Sequence, residues 1–398
     1  MEAQNKTLYN INELIQFRRQ MHSLPELQFE EIETQKKIKE FLISKGLQEK
    51  QFVQCAKTGW VIDIFGRAPE KGEKKLIAFR ADIDALSFQE NNPDIEYRST
   101  NNAAHACGHD GHTATLLGLA CLFLEKIDVI PKNKGIRLLF QPSEEGPISG
   151  AKVMIQEGCM QGVDEVYGHH NFPSHPVGYL LNKVGAMMSG VSIIKIKLIG
   201  KGGHGSEPKL AIDPTQMAVD FHIKYRKMQQ ELEGRLMRTT IPVLKCGDRF
   251  NVIADFAHLE GTLRSQENDI PDLFEQKLIQ ILEELKIEYP GSNYELNFMK
   301  NVYDMVDNHE KQTEIVNQLG RQHFGTDKVG HFDTVPIYAS EDFSFFLREK
   351  PGCFFFLGSG RKFNDTMIHH STYNYNDDLL EPASQFFYKI AENRLELA

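Results

Sequence analysis

Over the first 190 residues, short apolar runs alternate with amphipathic helical stripes, and near residue 190 this texture gives way to strict apolar–polar alternation. The runs at 61–65, 76–80 and 136–140 have almost no polar interruption, as expected of strands buried on both faces. Residues 111–127 between the last two read as a helix, a short helix is expected near Val153, and another strand covers 165–167. Ahead of them, Ile11, Leu14, Ile15 and Arg18 fall on one helical stripe that Pro25 stops. A second helix carries Ile38, Phe41 and Leu42 and ends at Gly46. Helices alternating with buried strands predict an α/β domain with a largely parallel or mixed sheet. Beyond residue 190, Ile194, Ile196 and Leu198 alternate with Lys195 and Lys197, which marks a strand with one wet face. A helix after Pro214, a strand at 255–262, a helix at 272–285 and a strand at 294–298 then predict a small α+β domain. The α/β texture returns after residue 302 with a helix near Glu314, an apolar strand at 353–357 and a helix after Pro382. The expected organisation is therefore one α/β domain of residues 1–188 and 302–398, interrupted by an inserted domain of residues 189–301.

Composition removes several function classes. The net charge of −10 offers no basic face for nucleic acid, so no nucleic-acid partner is expected. The longest strongly apolar stretch, 116–124, is far too short to span a bilayer, and the polar first ten residues lack the apolar core of a secretory leader. Six scattered cysteines in a chain of this length read as reduced thiols and a cytoplasmic location.

The chemistry-bearing residues lie in several separate segments. His105-Ala106-Cys107-Gly108-His109-Asp110-Gly111-His112 puts three histidines, a cysteine and an aspartate just before a predicted helix. Thiolate and imidazole suit zinc-like ions, and Cys107 and His109 would point the same way if extended. Gln141-Pro142-Ser143-Glu144-Glu145-Gly146 follows a strand, where paired carboxylates can divide the work between holding metal and moving protons. Gly168-His169-His170 and His369-His370 each come just after a strand or an apolar run. Four His- or Glu-bearing loops of this kind predict convergence on one pocket. Arg80-Ala81-Asp82-Ile83-Asp84 closes another strand, and Asp82 suits a supporting role behind a ligand or a catalytic water. In the inserted domain, Gly200-Lys201-Gly202-Gly203-His204-Gly205 lacks a phosphate-binding spacing, and its histidine reads as a reaching side chain. Arg264 at a strand end suits a substrate carboxylate. From the residues alone, a thiol hydrolase using Cys107 and a non-catalytic scaffold remain rival readings.

Taken in order, these segments resemble the M20 metallopeptidase superfamily, and within it the amidohydrolase branch of hippurate hydrolases, N-acetyl-diaminopimelate deacetylases and auxin-amino-acid conjugate hydrolases. The resemblance spans almost the whole chain, from Arg18-Arg19-Gln20-Met21-His22-Ser23-Leu24-Pro25-Glu26 through Asn251-Val252-Ile253 and Glu341-Asp342-Phe343 to His369. It implies a zinc-peptidase-like catalytic domain with an inserted α+β lid used for dimerisation. It implies two divalent ions, zinc or manganese, on Cys107, His109, Glu145, His170 and His369. Glu144 would be the general base, Asp82 the supporting aspartate, and His204 the oxyanion-stabilising lid residue. Asn251 and Arg264 would hold the carboxylate of a small N-acyl amino acid, with dipeptidase or carboxypeptidase activity as the alternative. His170 is preferred to His169 because the family pattern is Gly-x-His, and His369 to His370 because it precedes Tyr373 by four residues. Ser87 and Ala254 stand where the family usually has proline, and an aspartate usual near Gly190 to Ser192 is missing.

Overall fold

The computed structural model describes residues 7–330 and 332–397, so Met1 to Lys6 of the polar N-terminal stretch lie outside it. The chain forms two compact units, one of Met1–Met187, Val306–Val335 and Asp342–Ala398, the other of Met188–Met305 and Pro336–Glu341.

The first unit is built on an eight-stranded mixed sheet. Its order is Phe52–Cys55, Gly59–Phe65, Lys134–Gln141, Lys75–Asp82, Glu165–Pro176, Gly352–Gly360, Leu180–Leu181 and Val329–Gly330. The central strands Lys134–Gln141, Lys75–Asp82, Glu165–Pro176 and Gly352–Gly360 run parallel. They are almost wholly buried, which explains their unbroken apolar character. The helix His109–Glu125 is apolar on all sides because the sheet and neighbouring helices enclose it. At Gly118 the helix Leu380–Arg394 comes so close that a Cβ would lie 2.2 Å from Ser384 Oγ. Register sets Asp82 opposite Gln141 and Arg80 opposite Gly168. The ends of three parallel strands, and the turns that leave them, thus share one level, which is where open parallel sheets carry their chemistry.

The sequence reading ended one strand at 167, but it continues to Pro176. His169 and His170 are therefore strand residues with opposite faces, not loop residues. Likewise, Cys107 and His109 are not in an extended segment. Gly108 between them adopts φ +95° and opens the helix, and a Cβ there would meet Asn171 Oδ1 at 2.2 Å.

The second unit has a four-stranded antiparallel sheet in the order Met237–Cys246, Phe256–Ser265, Gly190–Ile199 and Asn293–Tyr303. Ile194, Ile196 and Leu198 pack with Leu259 and Leu263 against Phe221 and Tyr225 of the helix Pro214–Glu231 and Phe274 and Leu278 of Ile270–Glu288. The strand Met237–Cys246 was missed in the sequence. It is an edge strand, contains Pro242, and its pairing slips between Thr240 and Val243, so its alternation is broken. Among the described residues no helix is long and apolar enough to cross a membrane. All six cysteines are free.

Candidate metal centre

Among the described residues, donor atoms gather in overlapping groups at the carboxyl ends of the parallel strands, and three of these groups join the expected ligands and Glu144. Cys107, His109 and His170 lie within 4.8 Å of one another, as do Cys107, Glu145 and His369, and again His109, Glu144 and Glu145. Cys107 Sγ is 3.3 Å from both His170 Nε2 and His369 Nε2, and His369 Nε2 is 3.1 Å from Glu145 Oε1.

Four of the five ligand candidates are aimed by a second contact. His109 donates from Nδ1 to the Asp84 carbonyl at 2.9 Å, with Asp84 Oδ1 at 3.2 Å, which turns Nε2 inward. That Nε2 is buried and has no hydrogen-bond partner. His170 donates from Nδ1 to Asn171 O at 2.8 Å, leaving Nε2 to face Cys107. The turn after the strand Lys134–Gln141 is set by Ser143 at φ +52° and by Ser143 N donating to buried Glu31. Glu145 N then donates to Asp84 Oδ2 at 3.0 Å. His369 is held at φ +61°, a strained conformation for a side chain of this size, and its N donates to Ala106 O at 2.7 Å.

The doublets separate cleanly. His169 packs against Phe387, Phe355 and His112 in the core, whereas His170 enters the donor cluster. His370 is exposed and bonds Thr372 Oγ1.

Behind the donors lies a buried polar network. Asp82 Oδ1 accepts from His112 Nδ1 at 2.6 Å and Asp82 Oδ2 accepts from Arg80 at 2.6 Å. Arg80 also donates to Gln141 Oε1 at 2.7 Å and Asp342 Oδ1 at 3.0 Å. Asp342 accepts further from Gln141, Ser149 and Ala151 N. His112 contacts Asn171, whose amide donates to Tyr373 Oη at 2.7 Å. Sequence reasoning gave no role to Arg80, Asp84, His112, Asn171, Asp342 or Tyr373. The spacing of Arg80 and Asp82 was a usable signal, because alternate residues of one strand share a face.

The electrostatics of this cluster suit a cation. Burial pushes the Cys107 thiol up, and the Glu145, Glu144 and Asp82 carboxylates push it further. Burial alone would lower His109, but the Asp82, Asp84 and Glu145 carboxylates outweigh it and push it up to about 10. His170 is held well below its ordinary value by burial and the neighbouring His112, so it is a neutral imidazole. Burial would raise Glu145, yet the His369 hydrogen bond and the His109 charge hold it down. Asp82 is likewise held well below the usual carboxylate range, against its burial, by Arg80 and the rings of His109 and His112. A buried thiol, imidazoles and a carboxylate gathered around a His109 Nε2 that makes no hydrogen bond are a donor set that suits a zinc-like ion.

The other predicted residues belong to the second unit. His204 ends the strand Gly203–His204, which pairs with Val252–Ile253; it is exposed, with Nδ1 2.7 Å from Ser206 Oγ. Asn251 is exposed, and its carbonyl accepts from Gly205 N at 2.9 Å, so it shares a loop pair with His204. Arg264 donates to Tyr338 O at 3.0 Å and faces Ser340 Oγ at 3.4 Å, and among the described residues it has no ion pair.

Residues 78–393 match the model of Peptidase family M20/M25/M40. The chain is 34% identical to thermostable carboxypeptidase 1 of Saccharolobus solfataricus over 92% of each chain. It is 33% identical to the hippurate hydrolase of Campylobacter jejuni, covering 95% of this chain and 96% of the relative. The crystal structure of a dinuclear metal-binding peptidase of the M20 family from Bacillus subtilis superposes with a TM-score of 0.81 at 28% identity, covering 98% of this chain and 99% of the other. With four-fifths of its length matching the family model, and with relatives aligned nearly end to end, the chain belongs to peptidase family M20/M25/M40.

Proposed function

We propose that this chain is a metal-dependent amidohydrolase that cleaves the amide bond of small N-acyl amino acids. The observation that carries the reading is the overlap of the donor groups: Cys107 belongs both to the group with His109 and His170 and to the group with Glu145 and His369. That arrangement supports two divalent ions, zinc or manganese, which Cys107, His109, Glu145, His170 and His369 would hold between them, and the relative described as a dinuclear metal-binding peptidase supports the same count. Such ions, when bound, supply Lewis acidity and lower the pKa of water so that hydroxide is available near neutral pH.

The remaining work falls to the chain's own residues. Glu144, grouped with His109 and Glu145 but not counted among the ligands, takes the proton of the attacking water and hands it to the departing amine. Asp84 and Asn171 hold the His109 and His170 rings in the tautomers that leave Nε2 free. His204 donates to the developing oxyanion, and Arg264 and Asn251 take the carboxylate of the amino acid. The half-buried Arg264 guanidinium supports that role, since protein carbonyl and hydroxyl groups leave its charge unneutralised. Asp82 acts from behind, through His112 and Arg80.

The name of the Campylobacter relative supports acylated amino acids as substrates, and that of the Saccharolobus relative keeps peptide C-termini as a second reading. Cys107 as a nucleophile is disfavoured, because burial and three neighbouring carboxylates oppose its thiolate and hold the thiol up. We place the enzyme in the cytoplasm, which its six free cysteines support. We further propose a homodimer through the inserted unit, whose edge strand Met237–Cys246 and exposed Leu244 suit a second copy.

The test is metal analysis of chelator-free protein paired with hydrolysis of a panel of N-acetyl and N-benzoyl amino acids and dipeptides. About two ions per chain are expected, with turnover lost on their removal and restored on their return. Glu144→Gln should keep the ions and lose about 10²–10⁴-fold in kcat. Near-normal turnover by that variant would refute the assignment.

A further inference from the structure

The segment Arg18 to Glu26 is part of the family-like pattern, yet none of its side chains belongs to the donor groups. Its histidine is nonetheless buried among charged groups. His22, the last residue of the helix Ile11–His22, is 1% exposed. Its Nδ1 lies 2.8 Å from Asp110 Oδ2 and its Nε2 lies 3.3 Å from Glu90 Oε1. Imidazole is the side chain that offers two opposed ring nitrogens to two carboxylates at once.

Those carboxylates lead to the two sides of the metal centre. Asp110 adjoins His109 at the start of the buried helix and also accepts from Arg18 at 3.4 Å. Glu90 accepts from Ser99 N at 2.8 Å, which pins both ends of the loop between them. That loop is fastened in turn to the segment following His369. Asn91 N donates to Ser371 O at 2.7 Å, Asn92 Nδ2 to Thr372 O at 3.1 Å, and Tyr97 Oη to Asn374 Oδ1 at 3.2 Å. The Tyr97 ring stands edge-on to His22 at 5.6 Å and lies under the Arg18 guanidinium at 4.7 Å. The neighbouring carbonyls serve the same region: Glu26 O accepts from Ala85 N next to Asp84, and Pro25 O accepts from Asn101.

We propose that His22 is a positioning residue for the metal centre: by bridging Asp110 and Glu90 it fixes the segment carrying His369 relative to the helix start carrying His109. The inference rests on the metal reading above and adds to it a defined mechanical link. His369 needs such a link, because its side chain is half exposed and its backbone is strained. Outer contacts that orient a ligand are worth about 10–100-fold in metal affinity.

The experiment uses the full chain, stripped of metal and titrated with zinc against a chromophoric chelator, with cobalt loading followed by absorption. Circular dichroism and thermal unfolding of the zinc-free proteins run alongside. His22→Phe fills the ring's space without its nitrogens, and Tyr97→Phe removes only the hydroxyl that holds Asn374. The expected result is that His22→Phe weakens one of the two zinc sites by about 10–100-fold and alters the cobalt spectrum. Tyr97→Phe should weaken the same site by less while its unfolding stays that of the parent. If His22→Phe does not fold, Tyr97→Phe decides the matter. Unchanged affinity for both ions and an unchanged cobalt spectrum in the folded variants would overturn the proposal. A parent chain that binds no zinc would instead remove the metal reading, and this inference with it.

Discussion

Arg80 is a buried cation in the network behind the candidate centre, and its loss has a calculable cost. Its side chain is 1% exposed, and its partners Asp82 and Asp342 are fully buried. Arg80→Leu keeps much of the volume and removes the guanidinium contacts to Asp82, Gln141 and Asp342. Two carboxylates then remain in a dry interior without their shared counter-charge. Breaking a buried pair on one side costs about 3–5 kcal/mol. The upper end is softened here, because Asp82 keeps His112 and Asp342 keeps Gln141, Ser149 and Ala151 N. At roughly 2–4 °C per kcal/mol for a large domain, the unfolding midpoint should fall by roughly 6–15 °C. The assay is built into the chain. Trp60 is the sole tryptophan, is 8% exposed, lies in the strand Gly59–Phe65 and donates to Gln35 O, so urea titration followed by its fluorescence reports the first unit alone. Arg80→Lys should fall between the parent and Arg80→Leu, since an ammonium keeps the charge but cannot fork to three acceptors. A loss below about 1 kcal/mol for Arg80→Leu, at an unchanged denaturant slope, would refute the reasoning.

Three further outcomes follow from the same structure. Zinc binding at neutral pH should release about two protons, because the Cys107 thiol is held up and His109 is pushed up to about 10, and both must deprotonate to ligate. Affinity should accordingly rise with pH towards that value, and calorimetry in buffers of different ionisation enthalpy that finds no proton release would contradict the ligand assignment. Glu165 accepts two 2.7 Å bonds from Arg394 as well as bonds from Tyr167 and Gln312, which outweigh its burial and hold its pKa low. Its folded pKa lies below the unfolded value, so its contribution is present above the ordinary carboxylate range and lost as pH falls through the folded value. Glu165→Gln should therefore show a flatter acid limb in stability against pH, and equal slopes for parent and variant would dismiss the pair's role. Gly108→Ala should cost at least about 1–2 kcal/mol for the left-handed backbone, with more for displacing Asn171, read as a lower melting temperature; a neutral result would mean that Asn171 is free to move.

Much of this protein was legible in the order of its residues. Unbroken apolar runs before residue 190 and the alternation of Ile194, Ile196 and Leu198 with lysines told apart a doubly covered sheet and a sheet with one wet face, because burial on one or two faces writes itself directly into strand composition. The donor residue types were equally visible, since thiol, imidazole and carboxylate crowded at strand ends have few structural uses. Other features depended on boundaries and distances that no local pattern contains. The two histidines after Gly168 could be told apart by pattern matching, but their opposite faces follow only once the strand is known to run through to Pro176. Asp84 looked no different from Asp82, yet it is Asp84 that sets the His109 tautomer, because the chain turns there to bring its carbonyl and carboxylate under the ring. His22 and Glu90 stand 68 residues apart and meet only where the helix Ile11–His22 closes over the loop they share with the His369 segment. The sequence by itself determined which chemistry the chain carries and on what kind of sheet. Only the tertiary structure decided which nitrogen and which carboxylate face one another, because hydrogen bonds depend on tenths of an ångström between segments that sequence spacing leaves unrelated.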